Sequence, residues 1–314
     1  MTRIFTRPRV VAAAFVAAFV AAFAALGEVS KSSPAAAGVT AAGAVPYTPW
    51  YWTMVVSPTD PNVLVLATSS GLYRSTDAAK TWHKAGPQGV NMTSVVDSGT
   101  SMLAGGVPGP NPVIRRGGGR TAPDGQGVLV ESTDGGDKWR IVHPKGLPTT
   151  TIQALAVDPA KTTTLYALLN NGKLFHSSDS GRSFELVSSK IGAPPWALAV
   201  TQDGHLVAGD MDRGGFVSTD GKAWQRSPFT DSSGGKMVME YAVQPTDTAR
   251  VLMTSVGILM STDGGKTWQL ALKSKVMFGP VAWAPSAADV AYAIGFDRSF
   301  WRSGDAGKTW AKVS

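Results

Sequence analysis

The chain contains no cysteine, so it forms no disulfide, presents no thiolate nucleophile, holds no Cys-ligated zinc and carries no lipid on an N-terminal cysteine. Glutamate is nearly as scarce: Glu28, Glu131, Glu185 and Glu240 are the only four. Helices draw on Glu, Lys, Leu and Ala in 3.6-residue periods, and here the alanines crowd the front while the rest is Val, Thr, Ser, Trp and Gly. That is a strand-and-turn composition. Charged residues are 16% and hydrophobic residues 43% of 314, which excludes a disordered tail and supplies a sizeable core. The four histidines, His83, His143, His176 and His205, are scattered without metal-ligand spacing, and no Gly-x-Ser-x-Gly elbow occurs. No metal and no cofactor is expected.

The formal charge is +7, yet Arg3, Arg7, Arg9 and Lys31 against Glu28 precede the body and leave it +4. The body has no run of Lys and Arg with interleaved aromatics, so nucleic acid is not an expected partner. The early arginines begin a leader that continues through the 17 uncharged residues Val10 to Leu26. Residues 1–27 read as a signal peptide. That run also exceeds the about 15 residues of a usual signal core and just reaches a membrane span, so an uncleaved anchor is the other reading. Either way the body is delivered outside the cytoplasm, as a periplasmic, secreted or cell-surface protein, and meets a membrane only through an uncut leader. Residues 28–46, rich in Ala, Gly, Ser and Pro, form a flexible tether.

Self-similarity dominates the body. An octet recurs as Ser75 to Trp82, Ser132 to Trp139, Ser177 to Phe184, a shortened Ser218 to Trp224, Ser261 to Trp268, and Ser303 to Trp310. Its aspartates, Asp77, Asp134, Asp179, Asp220, Asp263 and Asp305, stand 57, 45, 41, 43 and 42 residues apart. Each octet comes after a short apolar run and precedes a polar stretch, which is a hairpin. Two more strand-like runs lie upstream, parted by a turn that often carries proline (Pro58, Pro159, Pro245, Pro285). Four strands in about 40–45 residues make a β-propeller blade. The expected fold is all-β: a six-bladed propeller of four-stranded blades over residues 47–314, one octet per blade, each blade complete without borrowing a strand.

Within an octet, Asp accepts the N–H groups of its own turn, the Ser or Thr hydroxyl joins the two arms, and Gly supplies a positive φ. The aromatic is expected to pack into the next blade. Six copies, one per blade, cannot share one active site, so these roles are structural. Gly-Gly-Lys-Thr at 264–267 and Ala-Gly-Lys-Thr at 306–309 look like the end of a phosphate loop, but Met260 and Arg302 stand where its first Gly belongs.

The pattern Ser-x-Asp-x-Gly-x-Thr-Trp, at about 42-residue intervals from Trp50 onward, resembles the Asp-box (BNR) repeat of sialidases and related propellers. The resemblance implies a fold rather than an activity. The box occurs in sialidases, in xyloglucan-cleaving glycosidases, in sortilin-type receptors and in the non-catalytic photosystem II stability and assembly factor family. It also implies that ligands meet the face opposite the boxes, built from the loops between second and third strands and from the connections between blades.

On that face the longest loop runs from about Gly105 to Gln126 and carries Arg115, Arg116 and Arg120. Asp210, Asp212 and Arg213 share a second loop, Asp297 and Arg298 a third, and Pro228 to Lys236 and Lys273 to Gly279 connect blades. Arginine forks suit carboxylates and phosphates, so an acidic ligand, protein or glycan, is the expected partner. Asp210-x-Asp212 before Gly214 opens like a calcium loop but lacks the remaining oxygen ligands and the closing Glu. Glu240, aligned on Pro245, falls on an innermost strand where other blades carry Thr53, Ala154 and Pro280; it is either hydrogen-bonded in place or an acid of raised pKa. Trp50, with Tyr51 and Trp52, either stacks on sugar or packs between blades.

Two functions compete. A sialidase-like glycoside hydrolase acting on acidic or neutral glycans would draw on Glu240, Tyr241, Asp212 and Asp297. Its resemblance is incomplete: sialidases carry Arg-Ile-Pro before the first box, and here no arginine lies between Arg9 and Arg74. Tyr241 also adjoins Glu240 along a strand, which points the two side chains to opposite faces. An exported, non-catalytic binding or assembly scaffold fits the sequence better.

Overall fold

The computed structural model describes residues 45–314 apart from 88, 109–126, 190, 192–195, 202 and 248, all within the compact unit Gly38–Ser314. The leader, most of the tether, and Arg115, Arg116 and Arg120 lie outside the described residues. Every regular element among the described residues is a strand.

The first sheet orders β1 (Tyr51–Val56), β2 (Leu64–Thr68), β3 (Gly71–Ser75) and β4 (His83–Ala85). The second orders β5 (Val90–Asp97), β6 (Met102–Pro108), β7 (Val128–Ser132) and β8 (Arg140–Ile141). The third holds β9 (Ile152–Val157), β10 (Leu165–Leu169), β11 (Leu174–Ser177) and β12 (Glu185–Ser188). The fourth holds β13 (Ala197–Val200), β14 (Leu206–Asp210), β15 (Gly214–Ser218) and β16 (Gln225–Ser227). The last has six strands: β17 (Glu240–Val243), β18 (Val251–Ser261), β19 (Gln269–Ala284), β20 (Ala287–Gly295), β21 (Phe300–Ser303) and β22 (Ala311–Lys312). Pairing is antiparallel and sequential throughout. In the six-stranded sheet, β18 pairs with β17 through Val251–Thr254 and with β19 through Val256–Met260, while β19 turns to β20 from Phe278 onward.

Burial falls from the first strand of each sheet to the last. β9 is buried along nearly its whole length, while β12 begins with exposed Glu185 and Leu186. The first strands stand side by side: β1 meets β5, β5 meets β9, β9 meets β13, β13 meets β17, β17 meets β19 and β19 meets β1. This closed order around a central axis is a β-propeller. The seam between the last sheet and the first is apolar, with Tyr51, Leu66 and Trp82 packed on Ala282, Tyr292 and Phe300. Val45 is buried in that seam, and the phenol of Tyr51 donates to the Pro46 carbonyl at 2.6 Å. The final two residues of the expected tether therefore belong to the packing of the propeller.

The octets form the turns between third and fourth strands. In the first, the Ser75 hydroxyl donates to Asp77 Oδ1 (2.8 Å) and accepts the Ala79 N–H, while Asp77 accepts both the N–H (2.8 Å) and the hydroxyl (2.6 Å) of Thr81. The same four bonds recur around Asp179, Asp263 and Asp305. Asp134 keeps the Ser132 hydroxyl and the N–H of Lys138 but lacks the second hydroxyl, since Lys138 stands where Thr81 does, and the shortened Asp220 turn takes the N–H groups of Lys222 and Ala223. The aromatic of each octet packs on the preceding sheet, not the next one as the sequence suggests. Trp82 enters the seam with the last sheet, Trp139 lies against Leu72, and Phe184 against Leu103. The octet leaves the third strand already turned toward the neighbour that the chain has passed, and the indole closes that gap. Second-strand glycines complete the fit between sheets: a Cβ on Gly209 would sit 2.6 Å from Val238 Cβ, and one on Gly105 2.7 Å from Ile152 Cβ.

The hydroxyl and N–H of Ser183 hold the Asp179 carboxyl down to about 2, and those of Thr309 do the same for Asp305. An unfolded aspartate titrates at about 4, so this stabilisation is complete above that pH and lost as the pH falls toward about 2. Melting temperature followed by circular dichroism should drop across that window, and Asp179→Asn should flatten the drop. Gly209→Ala should cost about 1–3 kcal/mol by overpacking against Val238, measured by urea unfolding with an unchanged m-value.

Candidate functional site

The first strands enclose a central well of about 340 Å³. Its mouth, on the side of the octet turns, is framed by Pro58, Pro159, Pro245 and Pro285 with Asp97 and Gly99, and its wall is largely Val, Leu and Ala. Thr53 Oγ1 accepts the Val95 N–H (2.7 Å) and Ser94 Oγ accepts the Leu155 N–H (2.9 Å), so hydroxyls stitch first strands together. The register places Glu240, opposite Thr254, at the level of Thr53, opposite Ala67, and of Ala154, opposite Leu168.

Glu240 makes no such stitch. Its Oε1 accepts the N–H of the next residue, Tyr241, at 3.0 Å. The side chain is 8% exposed, and burial pushes its carboxyl up to about 8 against the opposing effect of that N–H. Tyr241 points the other way, into the packing between sheets. Its phenol donates to the Ala208 carbonyl (3.3 Å) and its ring lies 5.7 Å from that of Trp268. Burial, with the nearby Asp210 and Glu240 carboxylates, drives the phenol far above its ordinary range. Asp97 accepts the Gly99 N–H (2.7 Å), and burial raises its carboxyl.

Aromatic rings close the far end of the well. Trp52 of β1 lies 6.0 Å from Trp196, the residue before β13, and these strands stand opposite each other around the axis. Trp50 stacks on Trp52 at 5.6 Å and 5°, with the Phe296 ring edge-on to Trp50 at 5.5 Å, and the Trp52 indole N–H donates to Asn91 Oδ1 at 2.8 Å. Burial pushes Tyr51 up to about 12. Trp50 is therefore one member of a packed cluster.

The rim residues divide into separate hairpins. Asp210, 5% exposed, accepts the N–H groups of Asp212 and Arg213 and pairs with Arg213 Nε at 2.8 Å. The arginine fork is thus turned onto its own loop. Asp297 accepts the Ser299 N–H (3.1 Å), and Arg298 donates to the Val45 carbonyl (3.0 Å) with its guanidinium 5.7 Å from the Tyr47 ring centroid. Sequence reasoning missed a crevice of about 90 Å³ lined by Arg213, Arg226, Phe229 and Lys236. Arg226 donates to the Arg213 carbonyl at 3.2 Å, and both guanidinium groups lie over the Phe216 ring. The signal was present in the connection Pro228 to Lys236. Among the described residues, no three His, Asp or Glu side chains cluster as a metal site would, and no helix is long and apolar enough to cross a membrane.

No family model matches the chain, and no curated protein matches it. Among solved structures it is similar to YCF48 bound to a D1 peptide, at 19% identity and a TM-score of 0.51 over 87% of this chain and 86% of that one. YCF48 from Cyanidioschyzon merolae aligns at 17% identity and 0.53 over 88% of each. The GH74 xyloglucanase from Xanthomonas campestris aligns at 17% identity and 0.56 over 88% of this chain but 46% of that one. These likenesses agree with the sialidase-like propeller resemblance of the octets and show the fold alone.

The Asp210–Arg213 pair holds its hairpin in shape. Asp210→Ala should cost about 1–3 kcal/mol by removing the carboxylate that accepts the Asp212 and Arg213 N–H groups and pairs with Arg213. A double-mutant cycle with Arg213→Ala, read by denaturant unfolding, should return a coupling of about 0.5–2 kcal/mol.

Proposed function

We propose that the chain is an exported six-bladed propeller that holds an acidic segment of a protein partner on its loop face and carries out no chemistry there. The blade count rests on the six octets and on the closed order of first strands. It counts the six-stranded sheet as two blades: β18 supplies the second and third strands of one, and β19 is the fourth strand of that blade and the first of the other. Export rests on the leader, which precedes a body without cysteine.

The observation that carries the binding reading is the engagement of the tyrosine and the rim arginines that a sialidase-like mechanism would call upon. A tyrosine nucleophile needs a lowered pKa and a neighbouring acid on its own side, whereas Tyr241 is buried, raised and hydrogen-bonded to Ala208, with Glu240 facing away. Arg213 and Arg298 are turned onto Asp210 and Val45. What the loop face offers instead is a small cationic crevice around Arg226 and Lys236 beside Phe229, suited to a carboxylate-bearing segment with an apolar neighbour. YCF48, a structural neighbour, has been solved with a D1 peptide bound, and a protein segment is the ligand class favoured here.

The purified protein should release no fluorophore from a sialoside or from a panel of aryl glycosides; turnover abolished by Glu240→Gln would overturn this reading. A photocrosslinker at position 236 should give a discrete protein adduct in envelope fractions, weakened at least fivefold by Arg226→Glu. An adduct with glycan alone would count against a protein ligand. Alkaline phosphatase fused after Ser314 should be active only if the leader exports the chain.

A further inference from the structure

We propose that the central well is a binding site for a small organic amine, whose ammonium group pairs with Glu240 at the closed end while its hydrocarbon part lies along the apolar wall. This site is separate from the loop face and does not depend on any partner held there.

Three observations lead to it. First, the well has the size of a small-molecule site, which runs from about 300 Å³ upward, and it is blind. Trp52 and Trp196 close one end, so a ligand enters on the side of the octet turns. Second, the chemistry of its lining is one-signed. Among the described residues, Glu240 and Asp97 are its only acids, and no lysine, arginine or histidine lines it. The strands packed on β17 add no cation at this level: β13 and β18 have no ionisable side chain, and Lys273 and Lys275 of β19 are exposed. Asp210 is the other charge in the vicinity, and it acts on Tyr241.

Third, the fold does not require a carboxyl at this position. Thr53 and Ser94 use short hydroxyls to join neighbouring strands, and Ala154 fills the equivalent place in β9 with a methyl group. Glu240 joins nothing across the gap; its hydrogen bond is to its own strand. A buried acid in an apolar wall with no cation stays protonated, because ionising it there is costly. An alkylammonium changes that balance. The protonated amine enters, the Glu240 proton leaves to water, and a carboxylate–ammonium pair remains in a site from which water is largely excluded. Asp97 at the mouth favours cations over anions on entry.

The test titrates n-hexylamine, n-hexanol and hexanoate into the full-length protein by calorimetry. Hexylamine should bind once per chain and at least tenfold more tightly than hexanol, with hexanoate weakest. Because the acid must ionise on pairing, hexylamine affinity should rise about tenfold from pH 6 to pH 7 and level off above about pH 8. At pH 7, buffers of different ionisation enthalpy should report nearly one proton released per amine bound. Glu240→Gln should abolish both the preference for hexylamine over hexanol and the pH dependence of hexylamine affinity. A blocked lysine, Nα-acetyl-lysine methylamide, separates the sources: binding equal to hexylamine identifies a protein side chain as the ligand, and binding to hexylamine alone identifies a free amine. Equal affinities for hexylamine and hexanol, a pH-independent affinity, or a hexylamine affinity untouched by Glu240→Gln would each overturn the proposal. The pH series and proton count on the unaltered protein decide the matter even if the variant unfolds.

Discussion

Closure is the constraint on which the rest depends. Sheets placed side by side around an axis each need a neighbour on both sides, and the last has none until it reaches the first. Here that contact is made by Trp82, Tyr51 and Leu66 on one side and Ala282, Tyr292 and Phe300 on the other. With it in place, all the first strands face a common centre and the well acquires a continuous wall. Without it, β1 and β19 would each expose an apolar flank. The octets serve the same end, since each fixes the turn that sends an aromatic ring back onto the preceding sheet, and the ring from the first octet lands on the closing seam.

The repeat made much of this legible in the sequence. An octet with Asp, a small residue and an aromatic at fixed offsets specifies its own hydrogen bonds, and those in the structure match the expected roles at Asp77, Asp179, Asp263 and Asp305. Strand periodicity and the turn prolines gave the sheets. The destination of the aromatic was not legible, because it depends on the twist between adjacent sheets, which no local pattern records. Glu240 was singled out from its alignment with Pro245, yet whether its carboxyl would stitch strands, as Thr53 does, or stay within its own strand was settled only by packing. The lid over the well was half visible: Trp50 and Trp52 adjoin in sequence, but Trp196 reaches them from across the axis. The rim arginines suggested a shared anion site. Two of them are instead taken up within the fold, Arg213 by Asp210 of its own loop and Arg298 by the Val45 carbonyl.

The two ends of the molecule thus differ in chemistry. The loop face is sealed by indoles and edged with cations, while the turn face leads into an apolar well that, among the described residues, is lined by the carboxyls of Glu240 and Asp97 and by no Lys, Arg or His. A propeller readily supports such a division, because the loops at either end of the same strands vary independently of the core that holds them.

The outer rim has its own consequence. A sheet normally leaves its last strand open to pairing with another molecule, and five or six radial sheets multiply that hazard. Here the peripheral strands are stunted: β8 and β22 have two residues each and β4 and β16 have three. They also display Lys84, Arg140, Arg226 and Lys312. Strands this brief and this charged are poor templates for intermolecular sheet growth, so the protein can be concentrated without propagating cross-β stacks.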